Sequence, residues 1–378
     1  MKIGIVCYPT FGGSGVVATE LGMALADKGH EIHFITYNQP VRLDFISHHL
    51  HFHQVLLEEY PLFQYQPYEL ALSSKIVEVV EKYQLEVLHV HYAIPHAYAA
   101  YMAKQMLNEK GISIKVVTTL HGTDITLVGS HPTYKTAVEF SINNSDIVTS
   151  VSNSLKKTTN KLFTIKNDIQ VIYNFIDTQK YDKLHQLKCN RSAIAKPNER
   201  ILTHVSNFRP VKRIDDVIKV FYEVQKKIPS KLILIGEGPE RAKIENLVNK
   251  LQISDDVLFL GNSSEVPKIL CYSDVFLLPS QTESFGLAAL EAMAAKTAVI
   301  STNTGGLPEV NIHEVTGFLS DIGDVKDMAK NVLTILQDDQ ILDTFKNNAR
   351  AHAKKFSLDN ILPFYENIYR LCLKNKIE

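Results

Sequence analysis

Two glutamates bracket a short segment that could hold a sugar nucleotide. Residues 283–291 read Glu-Ser-Phe-Gly-Leu-Ala-Ala-Leu-Glu and follow a strand-like run. Apolar residues then recur at helical spacing, which predicts a helix that starts near Gly286. The first N–H groups of a helix are unpaired and carry partial positive charge, which suits a phosphate. Glu283 precedes the helix start and Glu291 would lie two turns, about 12 Å, further along. A buried α/β unit with two solvated glutamates is an equally good alternative.

A second segment supplies cations. Residues 206–213 read Ser-Asn-Phe-Arg-Pro-Val-Lys-Arg and follow another strand-like run. Arg209, Lys212 and Arg213 therefore lie in one loop at the end of a strand. Preorganised cations are most effective where negative charge grows in a transition state, as on a departing diphosphate. We favour this role over the alternative, a solvated basic turn.

Two further segments follow strands in the first half. His121-Gly-Thr-Asp124 is a polar cluster at the end of a strand, so we favour a ligand-binding role over a buried structural histidine. Gly13-Ser-Gly15 formally fits a dinucleotide fingerprint. The second strand, however, ends in Thr-Tyr-Asn-Gln without the acidic residue that holds a ribose, which argues against NAD. A tight glycine turn, or close approach of backbone to a ligand, explains the motif as well.

The fold is predicted from short β-branched runs that alternate with amphipathic segments. This alternation is typical of parallel sheets covered by helices on both faces. Ten strands in two series of five predict two doubly wound, Rossmann-like α/β domains that face each other across a cleft. The predicted strands are Lys2–Cys7, Glu31–Thr36, Val87–Val90, Lys115–Leu120, Asp146–Ser150, Ile201–Val205, Lys231–Ile235, Val257–Leu260, Val275–Leu278 and Ala298–Ser301.

The domain boundary is expected in the polar, weakly periodic stretch between about residues 174 and 198. We expect an N-terminal domain at residues 1–170 and a C-terminal domain at residues 171–359. A helix within residues 360–378 is expected to pack back on the first domain.

Composition narrows the class of protein. The 378 residues include 40 basic and 41 acidic side chains, a net charge of −1 that argues against a general nucleic-acid binder. No apolar stretch approaches the roughly 18–20 residues that span a bilayer, and the N-terminal run is expected to be a strand rather than a signal peptide. The four cysteines are far apart in the sequence. We therefore expect reduced thiols in a cytoplasmic protein without stable membrane association.

Histidines are concentrated near the start of the chain. His48, His49, His51 and His53 alternate along a possible strand, a pattern that could bind metal. Since no cysteine or clustered carboxylate accompanies them, a polar strand face is the preferred interpretation. We expect no metal site.

Together these segments resemble glycosyltransferase family 4, the retaining nucleotide-sugar enzymes of GT-B type. The resemblance covers nearly the whole chain and is carried by the glycine turn, the His-Gly-Thr-Asp cluster, Lys212, the glutamate block and Gly305-Gly306. By this resemblance the catalytic residues are His121, Arg209, Lys212 and Glu283. It implies a donor site formed by Gly13, Ser14, Ser206, Asn207, Glu237, Ser284, Phe285, Gly286, Leu287 and Glu291.

The resemblance also assigns individual roles. Glu291 would bind the ribose hydroxyls, Glu283 the donor sugar, and the amides that follow Glu283 the diphosphate. No cofactor or metal is implied, since cations and the helix start neutralise the phosphates. One departure concerns Asn207, where many members of the family have an arginine; Arg209 would supply that charge instead.

Within the family, residues 89–95 and 206–213 resemble members that transfer N-acetylglucosamine from UDP-N-acetylglucosamine to L-malate, the first step of bacillithiol synthesis. The dicarboxylate acceptor would be bound by Tyr92, Lys135 and Arg42, each of which could instead be a surface or packing residue. Alternatives are a family-4 transferase with another small anionic or lipid-linked acceptor, a UDP-sugar epimerase, and a binding protein without turnover. The oligomeric state is left open, with a homo-oligomer as one alternative.

Overall fold

Two parallel sheets organise the chain, and each belongs to its own compact unit. The computed structural model describes residues 1–10, 12–43, 48–57, 65–186 and 191–374. Unit 1 comprises Met1–Asn174 and Leu358–Glu378, and unit 2 comprises Phe175–Ser357.

The sheet of unit 1 has seven strands in the order β3-β2-β1-β4-β5-β6-β7, and all neighbours are parallel. The order reverses direction between β1 and β4, and loops that follow these strands meet there. The strands are β1 (Lys2–Val6), β2 (Glu31–Thr36), β3 (Leu50–Gln54), β4 (Val87–His91), β5 (Lys115–Leu120), β6 (Ile147–Ser150) and β7 (Ile169–Val171). The helices between them are α1 (Gly13–Asp27), α2 (Tyr68–Tyr83), α3 (Tyr98–Glu109), α4 (Pro132–Asn143) and α5 (Asn153–Leu162).

The sheet of unit 2 has six strands in the order β10-β9-β8-β11-β12-β13, again all parallel. Its reversal lies between β8 and β11. The elements are α6 (Thr178–Gln186), β8 (Arg200–Val205), α7 (Ile214–Gln225), β9 (Ser230–Ile235), α8 (Arg241–Lys250), β10 (Val257–Phe259), α9 (Val266–Leu270), β11 (Val275–Leu278), α10 (Leu287–Ala294), β12 (Ala298–Thr302), α11 (Leu307–Val310), β13 (Gly317–Ser320), α12 (Val325–Leu336) and α13 (Asp339–Ala353).

Both sheets are buried on their two faces. All five residues of β4 and all five of β12 are buried. Helices cover such sheets with one apolar side each; α7, for example, buries Val217, Phe221 and Val224 in the core of unit 2. This architecture confirms the prediction of two doubly wound parallel sheets.

The predicted number of strands was wrong, because the described residues form thirteen rather than ten. The missed strands are β3, β7 and β13, and all three lie at an edge of their sheet. These three strands are short or carry polar residues, so apolar periodicity does not reveal them. In β13, Gly317 opens the strand, and a Cβ there would lie 1.7 Å from the carbonyl oxygen of Val299.

The last helix, α14 (Leu358–Lys374), packs on unit 1 against α1, β4 and β5. Tyr365 and Tyr369 are fully buried. The Tyr369 hydroxyl lies 2.8 Å from His89 Nδ1 on β4, and Glu366 lies 3.0 Å from His30. These polar contacts and the apolar face of the helix attach the end of the chain to unit 1.

A carboxylate joins the histidines of β2 and β3, contrary to our expectation. Glu31 Oε1 lies 3.1 Å from His33 Nε2 and 3.8 Å from His51 Nε2. The expectation failed because Glu31 and His51 are distant in sequence and meet only when β3 pairs with β2.

Two smaller expectations concern thiols and membranes. Cys7, Cys271 and Cys372 form no disulfide, and Cys189 lies outside the described residues. Among the described residues, no helix is both long enough and apolar enough to cross a membrane.

Candidate active site

The strongest candidate site in unit 2 lies where β8 and β11 end. These strands are neighbours, so the loops that follow them leave the same edge of the sheet side by side. A backbone hydrogen bond ties the loops together, from the Gln281 amide to the Val211 carbonyl at 2.8 Å. The cationic loop and the glutamate segment, 70 residues apart in sequence, are thereby neighbours in space.

An ion pair forms the centre of this site. Lys212 Nζ donates to Glu283 Oε1 at 2.5 Å, and the Ser280 hydroxyl donates to the same oxygen at 2.9 Å. The two charged side chains are 21% and 14% exposed, so a ligand can reach them although they are largely shielded from water. Lys212 has three N–H donors and can therefore bind another acceptor while keeping Glu283.

Two glycines hold the backbone of Glu283. Gly305 has φ 57°, and a Cβ there would lie 1.9 Å from the Glu283 carbonyl oxygen. The Gly306 amide donates to that same oxygen at 2.9 Å. Only glycine allows this close approach, which explains why the Gly-Gly pair follows β12.

The helix start predicted at Gly286 is confirmed. Gly286 has φ 100° and precedes α10, while Phe285 is buried against Phe356 at a ring distance of 5.7 Å. The helix itself begins at Leu287, so Glu291 is its fifth residue and lies about 6 Å along the axis from Leu287.

The other predicted site residues in the loops after β8 and β9 differ in exposure and in their hydrogen-bond partners. Ser206 is half-buried and its hydroxyl lies 2.7 Å from His204 Nε2. Asn207 and Arg209 are exposed in the same loop. Glu237 is exposed and pairs with Arg241 at 3.1 Å.

The third cation of the loop, Arg213, already forms an ion pair. Arg213 Nε donates to Asp216 Oδ2 at 2.6 Å, and Asp216 is buried. This pair anchors the start of α7, so Arg213 is a structural residue, whereas Arg209 remains exposed.

The candidate site in unit 1 is a turn after β5. The Asp124 carboxylate accepts hydrogen bonds from the amides of Ala93 (2.9 Å), Gly122 (2.9 Å) and His121 (3.3 Å). It thereby joins the loop after β4 to the loop after β5. Desolvation raises the pKa of Asp124 to about 6, against the opposing effect of these amides.

His121 is held by a second histidine. Its Nε2 lies 2.8 Å from His91 Nδ1, and the two rings stack with centroids 5.0 Å apart. Desolvation, with a smaller effect from His96, lowers the pKa of His121, which favours a neutral ring. A neutral imidazole can accept or donate a hydrogen bond to a bound sugar.

Tyr92 and Ser14 meet beside this ring. Their hydroxyls lie 2.6 Å apart, and the Tyr92 ring lies 5.2 Å from that of His121. Tyr92 also has φ 88°, a strained conformation for a non-glycine residue that is often found at functional sites. Gly13 and Ser14 open α1, where Gly15 is required because a Cβ would lie 2.4 Å from the Thr10 carbonyl oxygen.

The other two predicted acceptor residues are not joined to this group by any described contact. Lys135 is exposed on α4. Arg42 is exposed and pairs with Glu20 at 2.7 Å, so its charge is partly neutralised.

Sequence reasoning missed several residues that position the site. Tyr8 follows β1, and its ring lies 5.3 Å from Tyr92 and 4.5 Å from His96. His91 supports His121, and Ser280 supports Glu283. The His-x-His pattern at the end of β4 was a visible signal for His91, but Tyr8 and Ser280 had none.

Comparison with known proteins agrees with this architecture. Residues 11–180 match the model of Glycosyltransferase Family 4, and residues 189–352 match that of Glycosyl transferases group 1. Sucrose-phosphate synthase from Thermosynechococcus elongatus has a similar structure, with a TM-score of 0.78 at 23% identity over 99% of this chain and 100% of that one. HepE of Anabaena in complex with UDP-glucose gives a TM-score of 0.79 at 20% identity over 97% and 99%.

A nearer relative is similar over almost the whole length. N-acetyl-alpha-D-glucosaminyl L-malate synthase of Bacillus anthracis is 47% identical over 98% of this chain and 96% of its own. The chain therefore belongs to the glycosyltransferases, in the family that includes this synthase.

Proposed function

We propose that the protein transfers N-acetylglucosamine from UDP-N-acetylglucosamine to the hydroxyl of L-malate, with retention at the anomeric carbon. The observation that carries this proposal is the 47% identity, over 98% of the chain, with a relative named for this sugar and this acid. UDP as the carrier is supported by HepE, a neighbour in fold whose complex contains UDP-glucose. The reaction would be the first step of bacillithiol synthesis.

We assign the donor to the strand ends of unit 2. Lys212 and Arg209 would bind the diphosphate together with the first amides of α10, where the helix dipole favours negative charge. Glu283 would accept hydrogen bonds from the sugar hydroxyls. The other proposed donor contacts are Ser206, Asn207, Glu237, Ser284, Phe285, Gly286, Leu287 and Glu291 in unit 2, and Gly13 and Ser14 in unit 1.

We assign the acceptor to unit 1. Tyr92 presents its hydroxyl beside the neutral ring of His121, a suitable surface for a hydroxy acid. The carboxylates of malate also need cations, for which Lys135 and Arg42 are the proposed residues. To bind malate, Arg42 would have to break its ion pair with Glu20, so Lys135 is the preferred cation.

In the proposed mechanism, the malate hydroxyl attacks the anomeric carbon from the face that UDP leaves. Its proton passes to the departing phosphate oxygen, so no side chain has to act as a general base. Lys212 stabilises the charge that develops on UDP, and Glu283 holds Lys212 at that position. These fixed charges make a metal unnecessary for the transfer step.

The decisive experiment measures UDP release with a panel of donors and small hydroxy acids. Release that requires both UDP-N-acetylglucosamine and L-malate, and that persists with a chelator, supports the proposal. Donor conversion without acceptor would indicate an epimerase, and UDP binding without release a binding protein. Co-sedimentation with vesicles and preference for a lipid-linked acceptor would indicate a membrane-acting transferase. Cys7, Cys271 and Cys372 form no disulfide, which suits a reaction in the cytoplasm.

A further inference from the structure

A cluster of histidines and one glutamate lies on the sheet of unit 1, at the edge opposite the candidate site. Glu31 is the first residue of β2, whereas His121 follows the end of β5. In a parallel sheet the starts and the ends of the strands form opposite edges. His33 on β2 pairs in register with His51 on β3, so their side chains lie on one face.

The ligand atoms in this cluster are close enough to share one ion. Glu31 Oε1 lies 3.1 Å from His33 Nε2 and 3.8 Å from His51 Nε2, and the three atoms lie within 4.8 Å of one another. A tetrahedral zinc ion with bonds of about 2.0–2.1 Å places its ligands about 3.3 Å apart. The His51 side chain is 36% exposed and can turn to close the remaining gap.

We propose that Glu31, His33 and His51 bind one transition-metal ion of the zinc type, with water as the fourth ligand. Two imidazole nitrogens and one carboxylate oxygen form a borderline donor set that suits zinc rather than magnesium or calcium. The ion would take the place of the proton in the hydrogen bond between Glu31 and His33.

A further histidine orients the buried ligand. His53 Nε2 lies 2.9 Å from His33 Nδ1, and the two rings stack at 5.2 Å. When His33 Nε2 binds metal, its Nδ1 carries the proton and donates it to His53, the arrangement by which metal-binding histidines are usually held. Desolvation lowers the pKa of both rings to about 4, so both are neutral and have lone pairs near pH 7.

One neighbouring group opposes a cation. Lys2 Nζ lies 3.6 Å from Glu31 Oε2 and donates to the Tyr83 carbonyl. It occupies the other carboxylate oxygen, so Oε1 remains available, but its charge weakens the binding of a dication. Replacing Lys2 by methionine should therefore tighten binding.

The ion would link β2 to the edge strand β3. Because it binds the folded state, it would stabilise unit 1 in proportion to its concentration over its dissociation constant. Within unit 1, the cluster lies at the sheet edge opposite His121 and Tyr92, so glycosyl transfer itself would not depend on the ion.

The test is a Zn²⁺ titration of the metal-free protein in competition with a chromophoric chelator, together with thermal unfolding with and without Zn²⁺. We expect one ion per chain and a higher unfolding temperature in Zn²⁺. His51→Ala should lose at least about tenfold in affinity and abolish the thermal shift. His48→Ala, which removes a neighbouring exposed histidine outside the cluster, is the matched control and should behave as wild type.

A second measurement identifies the ligands. Co²⁺ in place of Zn²⁺ should give the visible absorption of a tetrahedral nitrogen and oxygen site, which disappears in His51→Ala. Equal affinity of wild type and His51→Ala, no thermal shift in wild type, or a thiolate-to-cobalt band would each overturn the proposal.

Discussion

Lys212 Nζ lies 2.5 Å from Glu283 Oε1, so the two charges that the sequence separates by 71 positions form one unit at the ends of β8 and β11. Further contacts hold Glu283 in place. Ser280 donates to the carboxylate, and the Gly305-Gly306 turn holds the Glu283 backbone. A site built in this way is preorganised, because the cation is already in place before a phosphate arrives.

Removing this cation should impair the transfer step strongly. We expect Lys212→Ala to reduce kcat about 10²–10³-fold, since loss of one preorganised donor costs about 2.7–4 kcal/mol of barrier. Steady-state UDP release measures the change. Lys243→Ala removes an exposed lysine of α8 that pairs with Glu240 and is the matched control. Normal turnover of Lys212→Ala would exclude the proposed role.

Glu283 should affect the sugar rather than the nucleotide. Glu283→Gln keeps the shape of the side chain and can still accept from Ser280, but it removes the charge that pairs with Lys212. We expect turnover to fall about 10- to 100-fold, as when a charged hydrogen bond worth about 1.5–3 kcal/mol is weakened. UDP binding should be no weaker, since Lys212 keeps its charge.

Calorimetric titrations with UDP and with UDP-N-acetylglucosamine separate these effects. A loss of affinity for UDP as large as that for the nucleotide sugar would place Glu283 on the nucleotide instead.

The position of Glu283 should depend on the glycine turn. Gly305→Ala places a Cβ 1.9 Å from the Glu283 carbonyl oxygen, so the segment must move. We expect kcat/KM to fall at least about tenfold, because small displacements of catalytic groups are costly. Gly111→Ala is the matched control, because it has φ 75° but nothing within 4 Å of the added Cβ. If Gly305→Ala is as active as Gly111→Ala, the close approach at Gly305 does not determine the position of Glu283.

The sequence predicted the parts of the molecule that repeat a local pattern. Buried strands such as β1 and β11 are almost entirely apolar runs, and the helix start at Gly286 follows from its glycine and the apolar spacing behind it. Because Lys212 and Glu283 each follow a predicted strand, the sequence also placed them near the same edge of a sheet.

What the sequence did not predict depends on pairing between distant strands. Glu31 joins His51 only because β3 aligns with β2. Tyr8 reaches Tyr92 only because β1 and β4, which they follow, are neighbours in the sheet. The three residues between Glu283 and Leu287 lie outside the helix, so a helical rise does not give the position of Glu291 relative to Glu283. Local periodicity contains no information on any of these contacts.

Buried histidines should make the fold sensitive to acid. Desolvation lowers the pKa of His89 to about 3 and those of His96 and His204 to about 4. In the unfolded chain these rings have a pKa near 6.5. As pH falls below that value the unfolded state takes up protons that the folded state refuses, so stability decreases down to the folded pKa values.

The expected change is about 1.4 kcal/mol per pH unit for each such histidine. Urea unfolding at a series of pH values from about 7 to 4.5 measures the slope. His89→Asn should reduce the slope by the contribution of one proton, whatever its effect on stability at pH 7. An unchanged slope in His89→Asn would mean that this ring is already charged in the folded protein.

Tyr92 should matter for the acceptor alone. Its hydroxyl lies 2.6 Å from Ser14 and its ring lies against His121, so Tyr92→Phe removes one hydroxyl and leaves the packing in place. A lost hydrogen bond to an anionic ligand costs about 1.5–3 kcal/mol, so KM for L-malate should rise about 10- to 100-fold. The affinity for UDP-N-acetylglucosamine should stay the same. Tyr98→Phe, which removes an exposed hydroxyl on α3, is the control. If KM for both substrates rises equally in Tyr92→Phe, the residue supports the turn rather than the acceptor.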